Sequence, residues 1–230
     1  MSSLTGQGGA SCLRDGDTAR MRKLTRRGLV LVFFALACAA PAFGGTILFF
    51  GDSLTAGLGV EQAQAFPALI QEKVREKNLP FDVINAGISG DTTAGGLARL
   101  DWVLQRKIDV LVLALGANDG LRGLPVAQMK ANLQAIVDRV KAKNSAVKIV
   151  IAGMRMPPNL GGEYSAAFEK VFGDLARANN TALIPFLLEG VGGQVDLNQA
   201  DHIHPTAAGH RVVAANVWRV LEPLLTNGGS

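Results

Sequence analysis

The chain has 230 residues, of which 48% are hydrophobic and 18% are charged, and its formal net charge is +4. This length suits one domain or two small ones, and the apolar content excludes an intrinsically disordered chain. Two cysteines are too few for a disulfide scaffold or a four-thiolate zinc module.

The first 42 residues have the layout of a secretory signal peptide. Four basic residues between positions 22 and 27 precede an apolar run at 29–40, and Ala-Pro-Ala at 40–42 is a small-x-small cleavage pattern. The apolar run has about a dozen residues, whereas a bilayer span needs about 20. We therefore predict an N-terminal extension and signal peptide over 1–42, cleaved near Ala42. The folded domain would cover 43–230 without a transmembrane span, in a periplasmic or secreted protein.

Three alternatives for this N-terminal segment stay open. The apolar run could form a buried helix, Cys38 could be the lipidated residue of a lipoprotein, and Met21 rather than Met1 could be the start. Removing the segment removes both cysteines and a net charge of +4, which leaves 17 basic and 17 acidic residues. The domain therefore gives no electrostatic reason to predict nucleic-acid binding, and it contains no thiol nucleophile.

Short apolar runs alternate with segments of helical periodicity along the domain. The predicted strands are at 46–50, 81–85, 110–115, 148–152 and 182–186. The predicted helices are at 66–77, 95–106, 126–143, 164–179 and 207–225. Near-continuous apolar strands are typical of a parallel sheet covered on both faces. We therefore predict an α/β fold, a three-layer α/β/α sandwich whose ligands bind beyond the carboxyl ends of the strands.

The loops after the first three strands carry candidate catalytic groups. Ser53 follows the first strand, where its hydroxyl could be a nucleophile, although a helix N-cap is an equally good interpretation. The second loop offers the backbone amides of Gly87 and Gly90, and the third offers the side-chain amide of Asn118. Such donors suit a developing oxyanion, but Gly-rich and Asn-Asp-Gly segments are also ordinary turns.

Asp201 and His204 lie three residues apart before the last predicted helix. An aspartate at this spacing can orient a histidine ring on one turn, as general-base catalysis needs. His202 and His204 could instead bind a metal, but no distant fourth ligand accompanies them, so we predict no metal and no organic cofactor. His210, on the last helix, is interpreted as structural. A serine, amide donors and an Asp–His pair at one sheet edge are the groups that acyl transfer uses.

The ordered motifs Gly-Asp-Ser-Leu, Gly-Asp-Thr-Thr, Gly-Ala-Asn-Asp-Gly and Asp-x-x-His-Pro resemble those of the SGNH (GDSL) hydrolases. The resemblance covers about 46–225. The segments at 88–92 and 116–123 look most like the bacterial secreted branch of acyl-CoA thioesterase I, lysophospholipase and arylesterase. The resemblance to this family implies a flavodoxin-like five-stranded parallel sheet of order 2-1-3-4-5.

The resemblance also implies a role for each candidate residue. Ser53 would be the nucleophile, His204 the base and Asp201 the residue that orients it. The oxyanion hole would consist of the backbone amides of Ser53 and Gly90 and the side-chain amide of Asn118. The implied activity is hydrolysis of small-molecule esters, acyl thioesters or lysophospholipids through an acyl-enzyme, and we expect a monomer.

Apolar residues near these motifs predict a groove for the acyl chain. The candidates are Leu121, Met154, Met156, Pro157 and Pro158. Methionine adapts to the shape of a bound chain, so we predict a preference for medium or long acyl groups. Ordinary loop packing is an equally good interpretation of the same residues.

Two other functions remain as alternatives. A polysaccharide O-deacetylase would use the same fold, but two Trp and one Tyr leave little aromatic surface for stacking on sugars. A non-catalytic flavodoxin-like domain could bind a flavin or a phosphate at the same sheet edge. That interpretation leaves Asp201 and His204 without a role.

Overall fold

A computed structural model describes residues 44–156 and 160–226. It contains a five-stranded sheet of β1 (Gly45–Gly51), β2 (Phe81–Gly87), β3 (Val110–Ala114), β4 (Lys148–Ala152) and β5 (Ala182–Ile184). The strands pair in parallel in the order β2-β1-β3-β4-β5. This confirms the predicted parallel sheet and its order. The predicted signal peptide lies outside the described residues.

Helices cover the sheet in two layers. They are α1 (Ser53–Ala56), α2 (Phe66–Glu76), α3 (Thr93–Val103), α4 (Ala117–Leu121), α5 (Val126–Lys143), α6 (Gly162–Asn179) and α7 (Ala207–Thr226). One layer consists of α3, α5 and α6 in mutual contact, and the other of α2 packed against α7. Among residues 44–156 and 160–226, no helix combines the length and apolarity that a membrane crossing requires.

The centre of the sheet is buried on both faces. Ile47, Leu48, Phe49 and Phe50 in β1 are all fully buried, as is expected of a strand with helices above and below it. For this reason, apolar and polar residues do not alternate along this strand. Because β1 lies between β2 and β3, the residues that follow it emerge between the carboxyl ends of those two strands.

Two glycines let α1 fold back tightly onto the strand ends. A Cβ at Gly51 would lie 2.1 Å from the Thr55 hydroxyl and 2.7 Å from the Ala114 carbonyl oxygen. A Cβ at Gly87 would lie 2.3 Å from the Ala56 backbone nitrogen. Only glycine fits at such distances, so these two positions set how closely the turn after β1 approaches its neighbours.

The element ends differ from the prediction at a few places. β5 ends at Ile184 rather than at 186, because Pro185 has no N–H to continue the ladder. α3 begins two residues earlier than predicted, because the Thr92 hydroxyl accepts a hydrogen bond from the Gly95 amide and caps the helix. The short helices α1 and α4 were predicted as loops, and both carry candidate site residues.

Candidate active site

Ser53 lies at the first position of α1, directly after the carboxyl end of β1. The N-cap is Asp52, whose carboxylate accepts a hydrogen bond from the Leu54 amide at 3.0 Å, so the interpretation of Ser53 as the N-cap is wrong. Burial raises the pKa of Asp52 to about 7, because the hydrogen bond from Leu54 only partly offsets the loss of solvation. A carboxyl group that titrates near neutral pH therefore lies beside the candidate nucleophile.

The structure brings Ser53, His204 and Asp201 together in one chain of hydrogen bonds. His204 Nε2 lies 2.8 Å from Ser53 Oγ, and His204 Nδ1 lies 2.6 Å from Asp201 Oδ2. The other carboxylate oxygen of Asp201 accepts hydrogen bonds from the backbone amides of Ile203, at 2.9 Å, and His204, at 3.0 Å. The fold thus brings Ser53 and His204, which are 151 positions apart in the sequence, into direct contact.

The charge on Asp201 determines which nitrogen of His204 carries the proton. The backbone amide of His204, its ring, and the amide of Ile203 hold the pKa of Asp201 well below its usual range. An ionised carboxylate can only accept, so Nδ1 donates to it. In the neutral ring, Nε2 is then an acceptor for the Ser53 hydroxyl, which is the arrangement that general-base activation of a serine needs.

Gly90 follows β2 and Asn118 lies in α4 after β3, and these two strands flank β1, which leads to Ser53. Gly90 has φ +81°, a left-handed conformation that favours glycine, although a Cβ there would meet nothing closer than 3.8 Å. The Asn118 side-chain amide donates one hydrogen bond, 2.9 Å long, to the Asp91 carbonyl. Its second N–H remains available, since a primary amide has two donors.

Backbone amides complete the set of donors. Within the part of the chain that the structure describes, the amides of Ser53 and Gly90 donate to no protein acceptor. The Gly87 amide, the alternative candidate, donates to the Asn85 side chain at 3.0 Å and is therefore occupied. The geometry favours Gly90 over Gly87 as an oxyanion donor.

Arg99 on α3 bridges the loops that carry Ser53 and Gly90. Its Nε lies 2.7 Å from Asp91 Oδ2, and its Nη2 donates to the Gly51 carbonyl at 3.0 Å. The guanidinium carbon also lies 4.1 Å from the centre of the Phe50 ring. This Arg99 bridge was not predicted from the sequence, because a single arginine on a helix carries no spacing signal.

A second, buried cluster joins α3 to α4. Asp119 accepts hydrogen bonds from the Thr93 amide at 2.8 Å and from the Thr93 hydroxyl at 2.6 Å. The Asn132 side chain donates to the same hydroxyl at 3.0 Å, and all three residues are buried. Thr93 and Asp119 belong to the Gly-Asp-Thr-Thr and Gly-Ala-Asn-Asp-Gly motifs, so the motifs contain this signal although the sequence analysis did not use it.

An apolar groove of about 490 Å³ adjoins Leu54, next to the candidate nucleophile. Three residues predicted for the acyl groove, Leu121, Met154 and Met156, line it. Pro157 and Pro158 lie outside the described residues. The loop between β5 and α7 adds lining residues that the sequence analysis missed, Phe186, Leu188 and Ile203.

His210 is fully buried behind the site, in α7. Its Nδ1 accepts a hydrogen bond from the Phe66 amide at 3.2 Å, and its ring stacks on Phe66. Burial, with a smaller effect from His204, lowers the pKa of His210 to about 4. His210 thus connects the start of α2 to α7, which agrees with a structural role.

Comparisons with known proteins place the chain in a family. The model of the GDSL-like lipase/acylhydrolase family matches residues 49–212. Esterase TesA of Pseudomonas aeruginosa is 43% identical over 207 residues, which are 89% of this chain and 100% of that protein. Thioesterase 1/protease 1/lysophospholipase L1 of Escherichia coli K12 is 36% identical over 200 residues, 86% of this chain and 94% of that protein.

A solved structure agrees with these relatives. The crystal structure of the psychrotrophic esterase EstA from Pseudoalteromonas sp., inhibited by monoethylphosphonate, is similar with a TM-score of 0.75 at 34% identity. The match covers 80% of this chain and 100% of that one. The chain belongs to the GDSL-like lipase/acylhydrolase family. It is an SGNH-type hydrolase of ester bonds, which confirms the family and the enzyme class predicted from its motifs.

Proposed function

We propose that Ser53, His204 and Asp201 are a catalytic triad that hydrolyses carboxylic esters and acyl thioesters with medium or long acyl chains. The observation that carries the proposal is the unbroken chain of hydrogen bonds from Ser53 Oγ through the His204 ring to the Asp201 carboxylate. Each contact has the length of a hydrogen bond, and an ionised Asp201 selects the tautomer of His204 that serine activation requires.

The first half of the reaction acylates the enzyme. Ser53 Oγ attacks the carbonyl carbon while His204 Nε2 takes its proton, and the ionised Asp201 stabilises the imidazolium. The carbonyl oxygen becomes an oxyanion. When the tetrahedral intermediate collapses, His204 gives the proton to the leaving alcohol or thiol, and the acyl group stays on Ser53 as an ester.

The second half releases the acid. His204 Nε2 takes a proton from a water molecule, which attacks the acyl-enzyme, and a second oxyanion forms. When this intermediate collapses, the bond from the acyl carbon to Ser53 Oγ breaks, the acid leaves, and His204 returns the proton to Ser53. We assign the stabilisation of this oxyanion to the backbone amides of Ser53 and Gly90 and the free N–H of Asn118. Donors held in place before the reaction stabilise the oxyanion without reorganisation, and each is worth about 3–4 kcal/mol in comparable sites.

We place the acyl chain in the apolar groove beside Leu54. Predominantly apolar lining with few polar groups is what a hydrocarbon chain requires. We also assign Pro157 and Pro158 to this groove from their position after Met156 in the sequence. The names of the relatives, an esterase and a thioesterase/lysophospholipase, support esters, thioesters and lysophospholipids as the substrate class.

We infer in addition that the enzyme acts as a monomer in the periplasm or outside the cell. The basic, apolar and small-residue pattern of 1–42 supports a signal peptide cleaved near Ala42. Mass spectrometry of the protein recovered from the periplasm or medium would test this, because an N-terminus near Phe43 is expected and an intact Met1 or Met21 would contradict it.

Hydrolysis of p-nitrophenyl esters from acetyl to palmitoyl tests the proposed activity. We expect Ser53→Ala to lower turnover by about 10⁵-fold or more, and the wild-type rate to rise from acetyl towards the longer chains. Ser89→Ala is a matched control, because Ser89 is an exposed serine on the neighbouring loop. Unchanged turnover in Ser53→Ala would refute the triad. A maximum at acetyl would favour the deacetylase, and a flat profile would refute the acyl groove.

A further inference from the structure

Exposed apolar side chains are concentrated at one end of the molecule. Seven large hydrophobic residues are exposed in the described part of the chain. Six of them lie on loops at the carboxyl edge of the sheet, namely Leu58, Ile88, Leu121, Leu124, Val195 and Ile203. The seventh, Trp102, lies near the end of α3, where it lines a surface pocket together with Ile88. Scattered exposed leucines are ordinary, but such clustering indicates an interaction site.

Five of the six residues lie in the connections that carry the candidate active-site residues and close to those residues in sequence, and we call these five the apolar rim: Leu58, Ile88, Leu121, Leu124 and Ile203. They come from the loops after β1, β2, β3 and β5. The Leu58 amide donates to the Ser53 carbonyl at 3.1 Å. The Ile88 amide donates to the Gly51 carbonyl at 3.1 Å, and Ile203 precedes His204.

The apolar rim continues into the groove. Leu121 and Ile203 belong to both, since each lines the groove and is also more than two-fifths exposed to solvent. A hydrocarbon chain entering the groove would therefore pass from one apolar surface to the next. Exposure of the rim side chains to water costs free energy, and contact with another apolar phase removes that cost.

We propose that the apolar rim docks the enzyme on a zwitterionic or uncharged lipid surface, so that the acyl chain moves from the lipid aggregate into the groove without crossing water. This inference rests on the proposed function for its substrate. Partial insertion of leucine and isoleucine side chains at the level of the headgroups is the mode by which peripheral proteins bind such surfaces.

Charge at the same edge disfavours anionic lipid as the docking surface. Apart from the buried Asp52 and Asp119, the connections after the five strands contain five acidic residues and only two basic ones, Arg122 and Arg155. Arg122 donates to the Gly90 carbonyl at 2.9 Å, and Arg155 pairs with Glu169 at 2.8 Å. Binding to anionic membranes uses clusters of lysine and arginine, and this edge has none among the described residues.

A second copy of the chain is a poorer occupant of the rim. Because Leu121 and Ile203 of the rim line the groove, a copy seated on the rim would cover the path that the substrate must take. A lipid surface has the opposite effect, since it presents the substrate at that opening.

Binding and hydrolysis together test the proposal. The rim variant is Leu58→Ser/Ile88→Ser/Leu124→Ser, which avoids the two rim residues that line the groove. Trp102→Ser is the control for a general loss of exposed apolar surface, because Trp102 shares a pocket with Ile88 but does not line the groove. Binding to phosphatidylcholine vesicles is measured by flotation with Ser53→Ala added to each protein, so that it does not depend on activity. Hydrolysis is measured on soluble p-nitrophenyl butyrate and on micelles of palmitoyl lysophosphatidylcholine.

We expect the rim variant to lose vesicle binding and micelle hydrolysis by about tenfold or more, while hydrolysis of p-nitrophenyl butyrate stays within about twofold. Trp102→Ser should match the wild type in every assay. Equal vesicle binding by the rim variant, or binding only when phosphatidylglycerol is added, would overturn the proposal. So would a wild-type dimer that the rim variant dissociates in light scattering. A Ser53→Ala protein that binds vesicles normally but retains ester hydrolysis would refute the proposed function and leave docking intact.

Discussion

The two sides of the candidate site are held by different kinds of contact. On the oxyanion side, Gly90 and Asn118 are positioned by partners far away in the sequence. Arg99 reaches the Gly51 carbonyl 48 residues away, and buried Asp119 binds Thr93 26 residues away. Long-range and largely buried contacts of this kind resist local opening.

The His204 side depends mostly on contacts within a short stretch of the long loop after β5. Asp201 binds its own near neighbours, and its side chain is 44% exposed. The longest-range side-chain contact of this loop, apart from that of His204 with Ser53, is made by Gln199. Its side chain donates to the Leu58 carbonyl at 2.7 Å, and its backbone amide donates to the His204 carbonyl at 2.8 Å. The His204 side is therefore the less constrained of the two.

The difference follows the demands of the proposed chemistry. Oxyanion donors are effective only if they are fixed before the charge develops, because movement during the reaction costs free energy. The base has another task, since His204 must exchange a proton with the serine, the leaving group and a water molecule in turn. A rigid oxyanion side and a more adaptable His204 side suit these separate roles.

Among changes that leave the triad intact, removing a donor from the rigid side should have the largest effect. We expect Asn118→Ala to lower kcat by about 10²–10³-fold, or about 3–4 kcal/mol, with a normal circular dichroism spectrum. The matched control is Asn144→Ala, which removes an amide that donates at 2.8 Å to the Ile108 carbonyl, away from the site. Near wild-type turnover in Asn118→Ala would contradict its place in the oxyanion hole.

Acid should weaken the attachment of α7, which begins just after His204. His210 has a pKa of about 4 in the folded protein against 6.5 when unfolded, so on acidification the unfolded chain takes up its proton first. Its contribution to stability is complete above about pH 6.5 and is lost as the pH falls towards 4, by about 3 kcal/mol. The raised pKa of Asp52 acts in the opposite direction over this pH range, so the loss from His210 is measured by urea unfolding at a series of pH values as the difference between the wild type and a variant without the imidazole.

His210→Asn is the informative variant for that experiment, because its side-chain oxygen can still accept the Phe66 N–H but does not titrate. Its free energy of unfolding should fall less steeply between pH 6.5 and 4 than that of the wild type. Identical slopes for the two proteins would show that another group is responsible.

The sequence predicts the parts of the fold that depend on continuous burial. β1 was placed within one residue at each end, because its apolar run reflects burial on both faces. The helices α1 and α4 were missed because four or five residues are too few for periodicity to be read. The N-cap at Asp52, rather than any repeat, starts α1.

The same distinction applies to the candidate site. Ser53, Asp201 and His204 were selected because short motifs and a local spacing carry their signal. Phe186 and Leu188 were missed because they reach the groove only when the long loop after β5 folds back over it. Such non-local juxtapositions leave no pattern in a single sequence.

The Arg99 bridge provides the sharpest test of the rigid oxyanion side. We expect Arg99→Ala to lower kcat by about 10–100-fold, or about 1.4–2.7 kcal/mol, with little change in KM, because the loop of Gly90 would no longer be held against Gly51. Arg99→Lys should fall between that variant and the wild type, since lysine can keep one contact with Asp91 but cannot reach both partners as a planar guanidinium does.

Steady-state kinetics on a p-nitrophenyl ester measures both parameters, and Arg139→Ala is the matched control. Arg139 forms an ion pair with Asp101 at 3.6 Å in which both side chains are at least half exposed, and such pairs contribute little. A purely structural role for Arg99 would lower the free energy of unfolding but leave the kcat of the folded enzyme unchanged. That result would show that the oxyanion side keeps its geometry without the bridge, and that its rigidity comes from the buried Thr93–Asp119 cluster instead.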